Sequence, residues 1–137
     1  MTDAADATSG TALVDLAQLA ARLEQFADER DWAQFHSPKN LVMALTGEVG
    51  ELNEIFQWMS EAASKDAGRD AQTARAVQDE LADVLLYLVR LSSVLGIDLD
   101  AAVQQKLKDN AMRYPADKVR GSSKKRGQPE ADESGKD

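Results

Sequence analysis

Apolar side chains recur every three or four residues in four separate segments of this 137-residue chain. That spacing lines one face of an α-helix and differs from the two-residue alternation of a half-buried strand. Glycine and proline, which punctuate proteins with many short strands, are sparse between residues 11 and 120. The pattern therefore predicts an all-α fold, a bundle of four helices.

The ends of the predicted helices carry residues that favour helix boundaries. Ser37 followed by a proline is a typical N-cap, and Gly96 is a typical residue beyond a helix C-terminus. The residue before Pro115 avoids the helical region and predicts the last boundary. Residues 60–72 are polar and predict a loop between the second and third helices. The four helices are expected at about Thr11–Arg30, 37–59, Thr73–Leu95 and 98–113.

Both ends of the chain are built from small and polar residues. Such segments bury too little apolar surface to offset the entropy of ordering them. We therefore expect disorder in residues 1–10 and 121–137, on either side of a domain formed by residues 11–120.

The composition excludes several classes of function. The chain has 24 acidic and 16 basic residues, a formal net charge of -8, which disfavours polymeric nucleic acid and anionic membranes as partners. It has no cysteine and one histidine, which excludes disulfides, zinc ribbons and two-histidine metal sites. No apolar run is long enough to span a membrane, and the acidic N-terminus does not resemble a secretory signal. We expect a cytoplasmic protein.

The third predicted helix is apolar in most directions around its axis, with one narrow polar stripe. Glu80, Asp83 and Tyr87 occupy that stripe, at positions i, i+3 and i+7, and no basic residue follows on it until Arg90. A helix that is apolar almost all round is mostly buried, and a partly buried carboxylate is costly unless it is paired or binds a metal.

The second predicted helix has a matching pair of carboxylates. Glu48 and Glu51 are three residues apart on one face, beside Gly47 and Gly50. Each glycine costs about 1 kcal/mol relative to alanine inside a helix, so their presence indicates close approach of a neighbouring helix or ligand. Two antiparallel helices of this kind can direct four carboxylates into one space. Oxygen ligands without His or Cys favour a hard cation, Mg²⁺ or Mn²⁺, and Mg²⁺ anticipates a phosphorylated substrate. The alternative is a solvated acidic face.

The fourth helix and the aromatic residues complete the candidate site. Lys106, Asn110 and Arg113 share one helix face and offer the donors that a triphosphate needs, although a solvated helix end would look the same. Trp32 and Trp58 lie at helix ends, where a base could stack, or where they could pack at the edge of the core.

Five segments of the chain form an ordered series of motifs: Glu29–His36, Asn40–Leu52, Phe56–Trp58, Glu80–Leu88 and Lys106–Pro115. With these motifs in this order, the chain resembles the MazG-like all-α nucleoside triphosphate pyrophosphohydrolases, most closely the dCTP pyrophosphatase branch. The resemblance covers roughly residues 13–120. Leu23 stands where animal members of that branch carry a pocket histidine.

The resemblance implies a site and a reaction. Mg²⁺ would be held by four carboxylates and would bridge phosphate oxygens while Glu51 or Glu54 orients water, and the products would be a monophosphate and pyrophosphate. The implied metal ligands are Glu48, Glu51, Glu80 and Asp83. The implied substrate-binding residues are Trp32, His36, Trp58, Tyr87, Lys106, Asn110 and Arg113, the last three in part across a subunit boundary.

The resemblance also implies a homotetramer, with a dimer as the alternative, and a role in removing surplus or non-standard nucleotides. The preferred substrate would be dCTP or a modified dCTP. Two other readings remain open: a pyrophosphohydrolase that prefers dUTP or accepts NTPs generally, and a non-catalytic helical oligomerisation or regulatory module.

Overall fold

The computed structural model describes residues 14–124, and within that range every regular element is helical, as predicted. Residues 1–10 and 125–137 of the predicted disordered segments lie outside the described residues, as does the expected start of the first helix at Thr11. A 3₁₀ turn, Ala33–Phe35, connects the first two helices. The helices are α1 (Leu16–Glu29), α2 (Pro38–Phe56), α3 (Glu61–Ser64), α4 (Ala74–Val94), α5 (Leu99–Arg113) and α6 (Ala116–Val119).

The predicted boundary residues act as the sequence indicated. The Ser37 hydroxyl accepts the backbone N–H of Asn40 at 3.2 Å, and proline occupies the first position of α2. Gly96, just beyond α4, has a φ of +66°, a left-handed conformation that glycine adopts without a steric penalty. Asp15 caps α1 through the N–H groups of Ala17 and Gln18, which explains why that helix begins at Leu16.

The prediction of an irregular loop over residues 60–72 is wrong for its first part, which contains the single-turn helix α3. The Ser60 hydroxyl accepts the N–H of Ala63 at 3.1 Å, a local N-cap that stabilises the turn. The second helix is also shorter than expected, because it ends at Phe56 rather than near Met59.

The described residues divide into two compact units, residues 14–99 and residues 100–124. In the first unit α2 and α1 both pack on α4. Leu41 and Val89 are almost completely buried in this packing, and burying such a side chain stabilises the fold by about 1.5–3 kcal/mol. The remaining buried apolar residues are small or medium-sized: Ala27, Ala67 and Val77.

The second unit contains α6 and all of α5 after its first residue, Leu99. None of the residues of α5 or α6 is buried. The two helices are separated by Tyr114 and Pro115, so α5 ends where proline predicts. No helix in residues 14–124 combines the length and the apolar character that crossing a bilayer requires.

Candidate functional site

Three of the predicted carboxylates meet where α2 packs on α4. One oxygen each of Glu48, Glu80 and Asp83 lies within 4.8 Å of the others, and all three side chains are half-buried. The three-residue spacing of Glu80 and Asp83 places both on the face of α4 that meets α2. The structure therefore brings together three of the four carboxylates that the sequence predicted would share one space.

Two oxygens of this cluster have no partner. Oε2 of Glu48 and Oε2 of Glu80 are shielded from solvent and make no hydrogen bond with any described residue. Buried carboxylate oxygens in folded proteins are almost always hydrogen-bonded, paired with a cation or bound to a metal. The two orphaned oxygens therefore indicate that a ligand or a proton completes the cluster.

The pKa of Glu80 also indicates that a ligand or a proton completes the cluster. Burial, together with the negative charges and the close carboxylate contacts of Glu51 and Glu48, raises the pKa of Glu80 to about 7. Glu51 is therefore close enough to act on Glu80, although its own side chain is more exposed. A divalent cation among these carboxylates would attract each of them, offset their mutual repulsion and stabilise their ionised forms.

The donor set fits a hard divalent cation. Every ligand that Glu48, Glu80 and Asp83 can offer is a carboxylate oxygen, which suits Mg²⁺ or Mn²⁺ better than softer metals. Glu51 is available as a fourth oxygen donor next to Glu80. Glu54, one turn further along α2, is exposed.

The close neighbour expected at the two glycines of α2, a helix or a ligand, is not found among residues 14–124. A Cβ built on Gly47 or on Gly50 would meet no atom of the described residues within 4 Å, and both glycines are exposed. The packing of α2 on α4 involves the opposite side of the helix, around the buried Leu41.

A cleft of about 170 Å³ opens beside the carboxylates. Asp83 belongs both to the metal cluster and to the wall of this cleft. The rings of Trp32 and Phe26 meet edge to face in the wall, with their centroids 5.8 Å apart. The full lining consists of Leu23, Phe26, Trp32, His36, Asp83, Leu86, Tyr87 and Arg90.

The link between α1 and α2 is held in place at both ends. The N–H of Trp32 donates to the carbonyl of Ala27 at 2.9 Å, and the side-chain amide of Asn40 donates to the carbonyl of Phe35 at 3.1 Å. These hydrogen bonds position the link so that Trp32 and His36 line the cleft together with Tyr87 of α4. The structure thus brings together three of the predicted substrate-binding residues.

The sequence prediction missed Arg90 as a site residue. Arg90 lines the cleft, and its Nε donates to Nδ1 of His36 at 3.1 Å. Burial lowers the pKa of His36, and the positive charge of Arg90 lowers it further, which keeps the imidazole neutral. The signal was in the sequence, because Arg90 follows Tyr87 by three residues and continues the polar stripe of α4.

The other predicted substrate-binding residues are not part of this cleft. The Trp58 side chain is 90% exposed, just beyond the end of α2. Lys106, Asn110 and Arg113 are exposed on α5, in the second unit, and their spacing places them on one side of that helix.

Comparison with known proteins identifies similar chains. The sequence model of the MazG-like family matches residues 44–128. The chain is 48% identical over 113 residues to a Homo sapiens protein named dCTP pyrophosphatase 1, a match that covers 82% of this chain. It is 44% identical over 116 residues to the Bos taurus protein of the same name, a match that covers 85% of this chain and 67% of the relative. The match spans 65% of the human relative, slightly less than two thirds of its length.

A solved structure is also similar. A pyrophosphatase from Archaeoglobus fulgidus superposes with a TM-score of 0.68 and a sequence identity of 38%. The match covers 73% of this chain and 92% of the archaeal chain.

Proposed function

Because the chain belongs to the MazG-like family, we propose that it hydrolyses a nucleoside triphosphate to the monophosphate and pyrophosphate. The family predicted by resemblance is thereby confirmed, and the all-α fold with it. The observation that carries the proposal is that a carboxylate cluster and an aromatic cleft share Asp83. A cation site next to a slot for a flat ring matches the two ends of a nucleotide.

The proposed base is cytosine, so that dCTP or a modified dCTP is the substrate. Support comes from the relatives named dCTP pyrophosphatase 1, which are 44–48% identical to this chain. Trp32 and Tyr87 supply aromatic faces on which a base can stack, and His36 offers a hydrogen-bonding group in the same cleft.

The carboxylates would hold Mg²⁺, with Mn²⁺ as a possible substitute. When bound, the cation would act as a Lewis acid on phosphate oxygens. Two observations support this assignment. Shielded oxygens without a partner are unfavourable, and the raised pKa of Glu80 means that its ionised form is unfavourable in a cluster without a cation. The proposed metal ligands are Glu48, Glu51, Glu80 and Asp83.

The remaining groups would bind and orient the reactants. Glu51 or Glu54 accepts a hydrogen bond from the attacking water and holds it near the phosphorus, as a general base would. No covalent nucleophile is needed. Lys106, Asn110 and Arg113 donate to the phosphates, from the same chain or from a neighbouring subunit, and neutralise charge on the leaving pyrophosphate.

We propose that the protein assembles into a homotetramer, with a dimer as the alternative. Large apolar side chains are exposed on both packed helices: Val42 and Val49 are seven residues apart on α2, and Leu81 and Leu88 are seven residues apart on α4. Each pair shares one side of its helix, so the exposed surface is contiguous along each helix rather than scattered.

The assembly can be tested by light scattering coupled to size-exclusion chromatography. Leu81→Glu is expected to lower the measured mass while the circular dichroism spectrum stays helical, because a charge replaces an exposed apolar contact. The matched control is Gln78→Glu, an exposed position of the same helix. A wild-type protein that elutes with the mass of a single chain contradicts the assembly.

The reaction itself is tested by a panel of substrates. Pyrophosphate release is measured with the four canonical dNTPs, dUTP, 5-modified dCTPs and the ribonucleotides, with Mg²⁺ and with EDTA. We expect the highest kcat/KM for dCTP or a 5-modified dCTP, and no release in EDTA. A preference for dUTP or for NTPs generally would move the protein to another specificity of the same fold. Absence of release from every nucleotide would favour a non-catalytic helical module. The proposed role is removal of surplus or modified nucleotides in the cytoplasm.

A further inference from the structure

Arg90 is a buried cation in the wall of an otherwise largely apolar cleft. Its side chain is 8% exposed, and it is the one buried charged residue among residues 14–124. No carboxylate in that part of the chain lies within ion-pair distance of it. The terminal nitrogens of Arg90 are not among the shielded atoms without a partner, so they reach the open cleft, where an occupant can accept their hydrogen bonds.

His36 fixes how Arg90 and the histidine present their donors. Because Nδ1 of His36 accepts the hydrogen bond from Nε of Arg90, the proton of the neutral imidazole lies on Nε2. The pair therefore offers only donors to an occupant: the terminal N–H groups of Arg90 and the Nε2–H of His36. The lowered pKa of His36 agrees with a neutral ring.

The cleft has room for a single ring. Its volume is about 170 Å³. An enclosed apolar cavity of about 150 Å³ accommodates one benzene molecule, so this open cleft accommodates a six-membered ring such as a pyrimidine. Trp32 and Tyr87 provide aromatic surfaces in the cleft that such a ring can contact.

We propose that Arg90, held by His36, is the residue that selects the base, by donating hydrogen bonds to adjacent acceptors on a pyrimidine ring. Cytosine has such a pair, N3 and O2. Uracil and thymine carry a hydrogen on N3, and that hydrogen would face a group that can only donate. Arg90 is a specificity residue and His36 is its positioning residue. This inference rests on the proposed function, because it takes the cleft to be the site of the base.

Binding of monophosphates tests the selection without requiring turnover. We expect calorimetry to show that the wild-type protein binds dCMP at least about tenfold more tightly than dUMP, as a bidentate contact to a base provides. Arg90→Met is expected to weaken dCMP binding by about tenfold and to leave dUMP binding within about twofold, so that the ratio approaches one. The matched control is Arg75→Met, an exposed arginine of the same helix, which is expected to keep the wild-type ratio.

Two further variants keep the test decisive. Arg90→Lys keeps the charge but loses the planar guanidinium that can donate two parallel hydrogen bonds, so we expect the ratio of dCMP affinity to dUMP affinity to fall several-fold. This variant provides the test if Arg90→Met does not fold. His36→Asn retains a side-chain acceptor for Nε and is expected to preserve more of the ratio than His36→Phe. An unchanged dCMP-to-dUMP ratio in folded Arg90 variants overturns the inference, as does failure of the wild-type protein to bind either monophosphate.

Hydrolysis separates this inference from the proposed function. If the wild-type protein releases pyrophosphate from dCTP and Arg90→Lys keeps the wild-type ratio of kcat/KM for dCTP and dUTP, Arg90 does not select the base and the activity stands. If the protein discriminates dCMP from dUMP through Arg90 but hydrolyses no triphosphate, the inference stands and the proposed activity fails. For Arg90→Lys, we expect a fold-increase in KM for dCTP that exceeds the fold-decrease in kcat.

Discussion

Glu48 of α2 and Glu80 of α4 face each other across the helix interface, and each has an Oε2 that is shielded from solvent and has no hydrogen-bond partner among the described residues. Two carboxylates of like charge are stable in this arrangement only if one holds a proton or a cation lies between them. This relationship makes the cluster sensitive to metal, to pH and to loss of either charge.

The first prediction concerns the charge of the cluster. Glu80→Gln or Asp83→Asn is expected to reduce pyrophosphate release by about 100-fold or more, because each change removes one anionic oxygen donor where a cation must be held. The circular dichroism spectrum should stay helical. The measurement is pyrophosphate release at saturating Mg²⁺ and dCTP.

Asp79→Asn is the matched control, because Asp79 is an exposed carboxylate on the same helix, paired only with the exposed Arg75. It should keep wild-type turnover. Near-wild-type turnover of either cluster variant would remove Glu80 and Asp83 from the proposed metal site.

The second prediction concerns pH. The pKa of Glu80 in the folded, metal-free chain is about 7, above its ordinary value of 4.5, so the folded state holds a proton that the unfolded chain releases. The contribution of Glu80 to stability therefore falls as the pH rises from about 4.5 to 7 and stays low above that range. Because a metal binds the ionised carboxylate, Mg²⁺ should raise Tm more at pH 8 than at pH 6.

Thermal denaturation at both pH values, with Mg²⁺ or with EDTA, measures this difference. Glu80→Gln cannot titrate, so its Tm in EDTA should depend less on pH than that of the wild-type protein. An increase in Tm on adding Mg²⁺ that is the same at pH 6 and pH 8 contradicts the link between Glu80 and the metal.

The third prediction concerns Trp58. Its exposure of 90% means that Trp58→Ala removes little packing within the chain, so the free energy of unfolding should change by no more than about 0.5 kcal/mol. If Trp58 stacks on the base, KM should rise about tenfold while kcat falls less. Phe35→Ala, at another exposed aromatic residue, is the control for general surface effects. A fall in Tm with an unchanged KM would show that Trp58 packs rather than binds.

The fourth prediction concerns Gly50. An added Cβ meets no atom of the described chain, so Gly50→Ala should raise the free energy of unfolding by about 1 kcal/mol through its higher helix propensity. Chemical denaturation measures the change, and Gly47→Ala should behave alike. A variant that is stabilised but has lost activity or assembly would show that nucleotide or a second chain approaches this side of α2. Destabilisation would contradict the open space around the glycine.

The sequence predicted the helices well because their ends depend on local chemistry. Ser37, Gly96 and Pro115 act on the backbone within a turn of their own positions, so their effects can be read without the fold. The short helix α3 was missed because a single turn has no apolar periodicity, and only the cap at Ser60 marks it. No described residue approaches Gly47 or Gly50, because a low helix propensity does not say whether the neighbour is part of the same chain, a ligand or a second subunit.

In the candidate site too, the sequence determined some relationships between residues and the tertiary structure decided the others. Sequence alone determined that Glu80 and Asp83 share a face of an apolar helix, because a three-residue spacing in a helix has a fixed geometry. Only the tertiary structure decided that Glu48 meets them, that Trp58 does not line the cleft, and that Arg90 reaches His36. Those outcomes depend on how α2, α4 and the α1–α2 link pack together. Periodicity specifies which residues share a face, whereas packing specifies which faces meet.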